Sequence, residues 1–182
     1  MADERVIYLM KGTLVGLSAG FIVSLFRLGI EFILETVIEG YHFMQEQPIW
    51  LIPWVIFSVT AALIVGKLVK SEPNIKGSGI PQVEGQVQGL ISLNWWPVLW
   101  KKFIGGLLAI GSGLFLGREG PSIQLGSAVG QGISNLTKGD DVEEKILLSS
   151  GAGAGVAAAF NAPLAGLMFV LEEVHHNFSP LL

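Results

Sequence analysis

No cysteine occurs in this chain, which excludes disulfides, zinc-thiolate sites and redox-active thiols together. Charge is scarce too: 14% of the 182 residues are Asp, Glu, Lys or Arg, against about a quarter in an average soluble domain. The formal net charge of -4 is too small and too dispersed for nucleic-acid binding. The opening residues Met1-Ala2-Asp3-Glu4-Arg5 lack the basic start of a signal peptide, and the apolar stretch behind them shows no compact cleavage pattern, so it is expected to be retained. No nucleophile, base and orienting group can be assembled, so no enzyme activity is expected.

What fills the chain instead is apolar. Hydrophobic residues make up 51% and the mean hydropathy is +0.58, the composition of a multi-pass membrane protein. The expected fold class is all-α, with tilted and discontinuous helices. The 24 glycines and 8 prolines predict helices that pack closely and are interrupted.

In chain order, residues 6–38 predict a first helix in which Arg27, Glu31 and Glu35 recur at i, i+4 and i+8, so Arg27 is placed to pair with Glu31. Residues 39–48 read as an acidic loop and residues 49–65 as a second span, followed by Lys67, Lys70 and Lys76. Basic residues Arg5 and Lys11 before the first span, and Lys67 and Lys70 after the second, predict both outer ends in the cytoplasm. Lys101 and Lys102 open the next apolar stretch, and Lys138 and Lys145 bracket a polar loop, giving two further cytoplasmic candidates. Residues 77–90 hold a short helix start, Ser78-Gly79-Ile80-Pro81, with Pro81 in the first turn. Trp95, Trp96 and Trp100 beside the lysines look like an interfacial belt. Residues 121–136 predict another short helix. Asp140 or Asp141 then caps a helix over residues 142–160, and Asn161-Ala162-Pro163 restarts a last one that runs to Glu172 and Glu173.

One charged island stands out. Gly117-Arg118-Glu119-Gly120-Pro121 lies between residues 103–117 and 121–137, neither of which carries a charge. An ionised side chain inside a membrane costs at least a few kcal/mol and usually lines a pathway. The chain repeats one device three times, a small or polar residue followed by Pro at a helix start: Ser78 with Pro81, Glu119 with Pro121, Asn161 with Pro163. Each start leaves backbone amides unpaired, and broken helices that bring such amides together are a way to hold a negative substrate.

Taken with Ala157-Ala158-Ala159-Phe160-Asn161-Ala162-Pro163-Leu164-Ala165-Gly166, the motifs Gly77-Ser78-Gly79-Ile80-Pro81 and Gly117-Arg118-Glu119-Gly120-Pro121, in this order, resemble the CLC family of chloride channels and proton-coupled chloride transporters. The resemblance implies that residues 1–182 form a single membrane-embedded unit, the first of two inverted halves, with the second half absent. It implies an anion site from Ser78, Gly79, Ile80, Gly117, Arg118, Glu119 and Gly120, in which the Ser78 hydroxyl donates to chloride and Glu119 is the gate. Glu173 matches the inner glutamate that passes protons in exchangers, which tilts the reading from passive channel to chloride/proton antiport. The resemblance further implies chloride and protons as the transported partners, with no cofactor, in a cell-membrane protein embedded in the lipid bilayer, with its N-terminus expected in the cytoplasm. The family forms homodimers, with much of that interface in helices at and beyond this C-terminus. The second half would add a further helix start and a tyrosine hydroxyl, for which Tyr8 and Tyr41 are misplaced. Gln82 departs from the family, where many relatives are acidic.

Plainer readings stand beside these. Ser78 is also a fit helix cap, Glu119 an ion-pair partner of Arg118 or a capping carboxylate, and Glu172 and Glu173 markers of a helix end at water. Glu172 and Glu173 with His175 and His176 mimic a Glu-x-x-His metal motif, but the apolar spans supply few further carboxylates. Residues 151–156 approach a dinucleotide fingerprint, although close helix packing explains those glycines better. The aromatic residues Phe21, Phe26 and Phe32 are lipid-facing or core. From another class, a non-conducting half-protein that needs a second chain also fits the sequence.

Overall fold

The computed structural model describes residues 2–174. Among them the chain is helical, without a strand: α1 (Ala2–Glu46), α2 (Leu51–Ser71), α3 (Ile80–Val87), α4 (Trp95–Gly111), α5 (Glu119–Leu136), α6 (Asp141–Phe160) and α7 (Pro163–Phe169), followed by a π-helical turn, Val170–Val174. The all-helical fold class is as expected.

Three boundaries differ from the sequence reading. First, α1 does not stop near residue 38; it runs for 45 residues, about 68 Å at 1.5 Å per residue. No proline interrupts it before Pro48, and a lone Gly40 costs a helix only about 1 kcal/mol. Tyr41 packs edge-on against Trp54 at 5.2 Å and Phe43 against Trp50 at 5.9 Å, so the expected loop is the packed tip of a helical hairpin. The chain reverses at Gln47, whose extended backbone (φ -131°, ψ 83°) is what a following proline imposes.

Second, α2 extends to Ser71 and carries Lys67 and Lys70 on its own surface. With its preceding turn it forms Pro48–Ser71, the one helix among the described residues that is long and apolar enough, by length and composition, to cross a membrane.

Third, α4 begins earlier than Lys101. Asn94 Oδ1 accepts the Trp96 amide at 3.3 Å, an N-cap, and Pro97 falls in the first turn where its missing N–H is harmless. The tryptophans therefore open this helix and the two lysines lie inside it. Trp95 turns inward over Gly132 of α5 while Trp96 stays exposed.

The centre is α5, buried along nearly its whole length, and α6 packs against it. Gly126 faces the carbonyl of Gly151, Gly130 that of Leu147, and Gly155 that of Ser122, so the two helices run antiparallel with backbones touching. Residues 151–156 are therefore interior helix, and glycine there serves packing. Val83, Ile123, Leu148, Ala152 and Val156 form one apolar cluster between α3, α5 and α6. Val23, Phe26, Ile30, Ile110 and Leu125 form another where α1 and α4 meet α5. Phe26 is thus core, whereas Phe21 and Phe32 point outward.

Capping follows the sequence. Asp140 Oδ1 accepts the Glu143 amide at 2.8 Å. α6 ends on Asn161 in the left-handed region at φ 53°, a C-cap that asparagine tolerates.

Candidate anion site

Ser78 sits in a turn between a short 3-10 segment, Pro73–Ile75, and α3. Its neighbours Gly77 and Gly79 both take positive φ, 71° and 94°, a conformation that a side chain would strain. The alternation delivers Ser78 to the mouth of α3. Its Oγ lies 3.4 Å from the Ile80 amide, at the long limit of a hydrogen bond, so capping is a weak use of this hydroxyl.

Facing it is the first turn of α5, which opens with Glu119 as its first helical residue and no side-chain cap from Arg118. Gly120 is pressed against Ser78: a Cβ at residue 120 would fall 2.7 Å from Ser78 Cβ and 2.8 Å from its Cα. The absence of a side chain at 120 therefore lets the serine lie directly over the open amides of a helix N-terminus. The Glu119 carboxylate, half-buried, folds back beside Gly117. Arg118 does not pair with its neighbour. It reaches Glu31 of α1 at 2.8 Å, and Glu31 also takes the expected Arg27 at 3.1 Å, leaving Glu119 without a cation partner among the described residues.

Ser78, Ile80, Gly117, Glu119 and Gly120 line one cavity of about 530 Å³ between α2, α4 and α5. Two of the residues assigned to the site stand off from it: Gly79 is buried behind Ser78, and Arg118 faces α1. The third helix start does not join the other two. Pro163 and Leu164 of α7 are exposed away from the cavity, because α7 folds back on α6 with Gly166 against Gly153. Glu173 is exposed on the π-helical turn, whose Val174 is buried, and lies apart from the cavity. His175 and His176 fall outside the described residues, and among the described residues no group of three His, Asp or Glu is placed to hold a metal.

Sequence reasoning missed Lys102. Read as a cytoplasmic flank, it is buried, and its Nζ donates to the carbonyls of Ile75 at 2.9 Å and Gly77 at 2.8 Å while lining the same cavity. Carbonyl oxygens of the Ser78 loop that would repel an anion are thereby held by an ammonium group. The signal was present in Asn94 and Pro97: a helix opening there sends adjacent lysines about 100° apart around the axis, so one turns inward. Chemically, the arrangement gathers helix-start amides, a hydroxyl and a buried ammonium around a space that a single carboxylate also reaches.

Comparison with known proteins bears on what such a site serves. Residues 58–182 match the family model described as voltage gated chloride channel. The chain belongs to this family. Among curated CLC relatives, the H(+)/Cl(-) exchange transporter ClcA of Vibrio parahaemolyticus is 42% identical over 174 residues, covering 93% of this chain and 37% of the relative. The ClcA of Cronobacter sakazakii is 38% identical over the same coverage. A solved structure of a slow cyanobacterial Cl-/H+ antiporter superimposes with a TM-score of 0.86 at 36% identity, covering 92% of this chain and 40% of that one. The chain thus spans little more than a third of the length of these CLC relatives. Membership places it in a family of integral membrane proteins.

Proposed function

We propose that the complete protein exchanges chloride for protons across a membrane, and that the cavity around Ser78 and Glu119 is its anion site. The observation that carries this reading is the seating of Ser78 on Gly120 at the open start of α5. A chloride there accepts from the serine hydroxyl and from backbone amides, with the helix dipole and Lys102 adding positive potential. The ionised Glu119 carboxylate competes for the same amides. Protonation removes its charge and frees the place for chloride, so one group answers to both ions. Glu173, exposed at the end of the chain's last described turn, then supplies protons from the inner side. Relatives named as exchange transporters support exchange over passive conduction.

Orientation belongs to the same reading. Lys11 of α1 pairs with Glu143 of α6, which holds the start of α1 beside the loop bearing Lys138 and the early turns of α6 that carry Lys145. This gathering of basic residues at one end supports a cytoplasmic N-terminus. Beside the site, residues 114–117 are exposed, Phe115 completely, which supports a reading in which further chain, the second half of the transport unit, covers them.

The test is Glu119→Gln in the complete protein reconstituted in liposomes. Chloride movement should persist while uphill proton movement is lost, because an amide does not titrate in this range. Wild-type proton coupling in the variant would sink the gate role.

A further inference from the structure

We propose that Gln124 is a positioning residue of the anion site, fixing the loop that carries Ser78 from the buried side of α5; this rests on the anion-site reading above. Gln124 is 2% exposed. Its Nε2 donates to the Asn74 carbonyl at 2.8 Å. The same side chain lies against Gly79, where a Cβ would fall 2.6 Å from Oε1 and 2.7 Å from the glutamine Cβ. Gln124 therefore holds the segment on both flanks of Ser78, at Asn74 before it and at Gly79 after it. Lys102 holds the intervening carbonyls of Ile75 and Gly77.

Packing alone does not account for a glutamine here. Oε1 has no donor among the described residues, and a buried oxygen without one is destabilising. An apolar side chain of equal length would fill the space without that cost, so what glutamine adds is its N–H toward Asn74.

Gln131, seven residues on and on the same face of α5, performs the matching task at the other end of α3. Its Nε2 donates to the Leu93 carbonyl at 2.9 Å and to Glu144 at 3.0 Å, and its Oε1 accepts from Gln86 at 3.2 Å. The two glutamines pin α3 to the helix that bears Glu119. Gln124 alone adjoins the Ser78 turn, and Gln131 supplies the internal comparison.

Chloride affinity by titration calorimetry on the purified full-length protein tests the role, with Gln124→Met and Gln131→Met compared. Methionine keeps the length and removes the donor. Both variants should melt at lower temperature, but only Gln124→Met should weaken chloride binding, by roughly 3- to 10-fold, the worth of one hydrogen bond. Unchanged affinity in Gln124→Met, or an equal loss in Gln131→Met, overturns the proposal. If Gln124→Met does not fold, Gln124→Asn, which keeps the amide but falls short of Asn74, should show the same loss, and wild-type affinity there overturns it. A wild-type protein that binds no chloride defeats the anion-site reading and the proposal with it. Chloride binding with Gln124 variants unaffected defeats the positioning role alone.

Discussion

At residue 120 a single hydrogen in place of a side chain decides how near a hydroxyl comes to a helix start. Alanine there would put its methyl within 3 Å of Ser78 Cα, Cβ and carbonyl oxygen, distances that force the backbone to move. Gly120→Ala should therefore displace Ser78 and weaken chloride binding at least tenfold, read by calorimetry on the complete protein, while the Glu119 carboxylate is retained. An affinity within twofold of wild type would show that Ser78 is not held by this contact. Ser78, Glu119 and Gly120 were legible in sequence because each belongs to a local motif with Pro shortly after it. Lys102 was less so, because Asn94 and Pro97 place two lysines inside a helix but only the tertiary fold decides which of them meets the Ile75 and Gly77 carbonyls.

At the scale of elements, α5 and α6 depend on glycines placed where their backbones touch. A Cβ on Gly126 would meet the Gly151 carbonyl, and one on Gly151 the Gly126 carbonyl. Backbone on both sides leaves no flexible atom to yield, so Gly126→Ala is expected to destabilise by about 1–3 kcal/mol, seen as a lower melting temperature in detergent. Asn135, exposed near the end of the same helix, is the comparison site where alanine should leave melting nearly unchanged. Helix breaks at Asp140 and Asn161 could be read from capping chemistry, since a cap is a local event. The continuation of α1 through residues 39–46 could not, because the aromatic contacts that favour helix there come from α2, across the turn.

For the whole molecule, one ion pair closes a loop of 132 residues: Lys11 Nζ donates to Glu143 Oε1 at 2.5 Å, with both side chains mostly buried. It locks the start of α1 to the start of α6, far along the chain from the Arg118–Glu31 pair that holds α1 to the start of α5. Lys11→Met leaves a mostly buried carboxylate without its cation, a loss of roughly 3 kcal/mol for such pairs. The double variant Lys11→Met with Glu143→Gln should recover much of it, as measured by thermal melting around the mutant cycle. Equal melting of the single and double variants would show the pair to be incidental.

The sequence by itself determined the helical class, the positions of most helix starts and the family, because these follow from local hydropathy, caps and contiguous motifs. The tertiary structure alone decided which starts converge. Those of α3 and α5 meet through the missing side chain of Gly120, while α7 points elsewhere because Gly166 packs on Gly153. Convergence depends on which glycines meet across helices, and spacing along the chain carries no record of that.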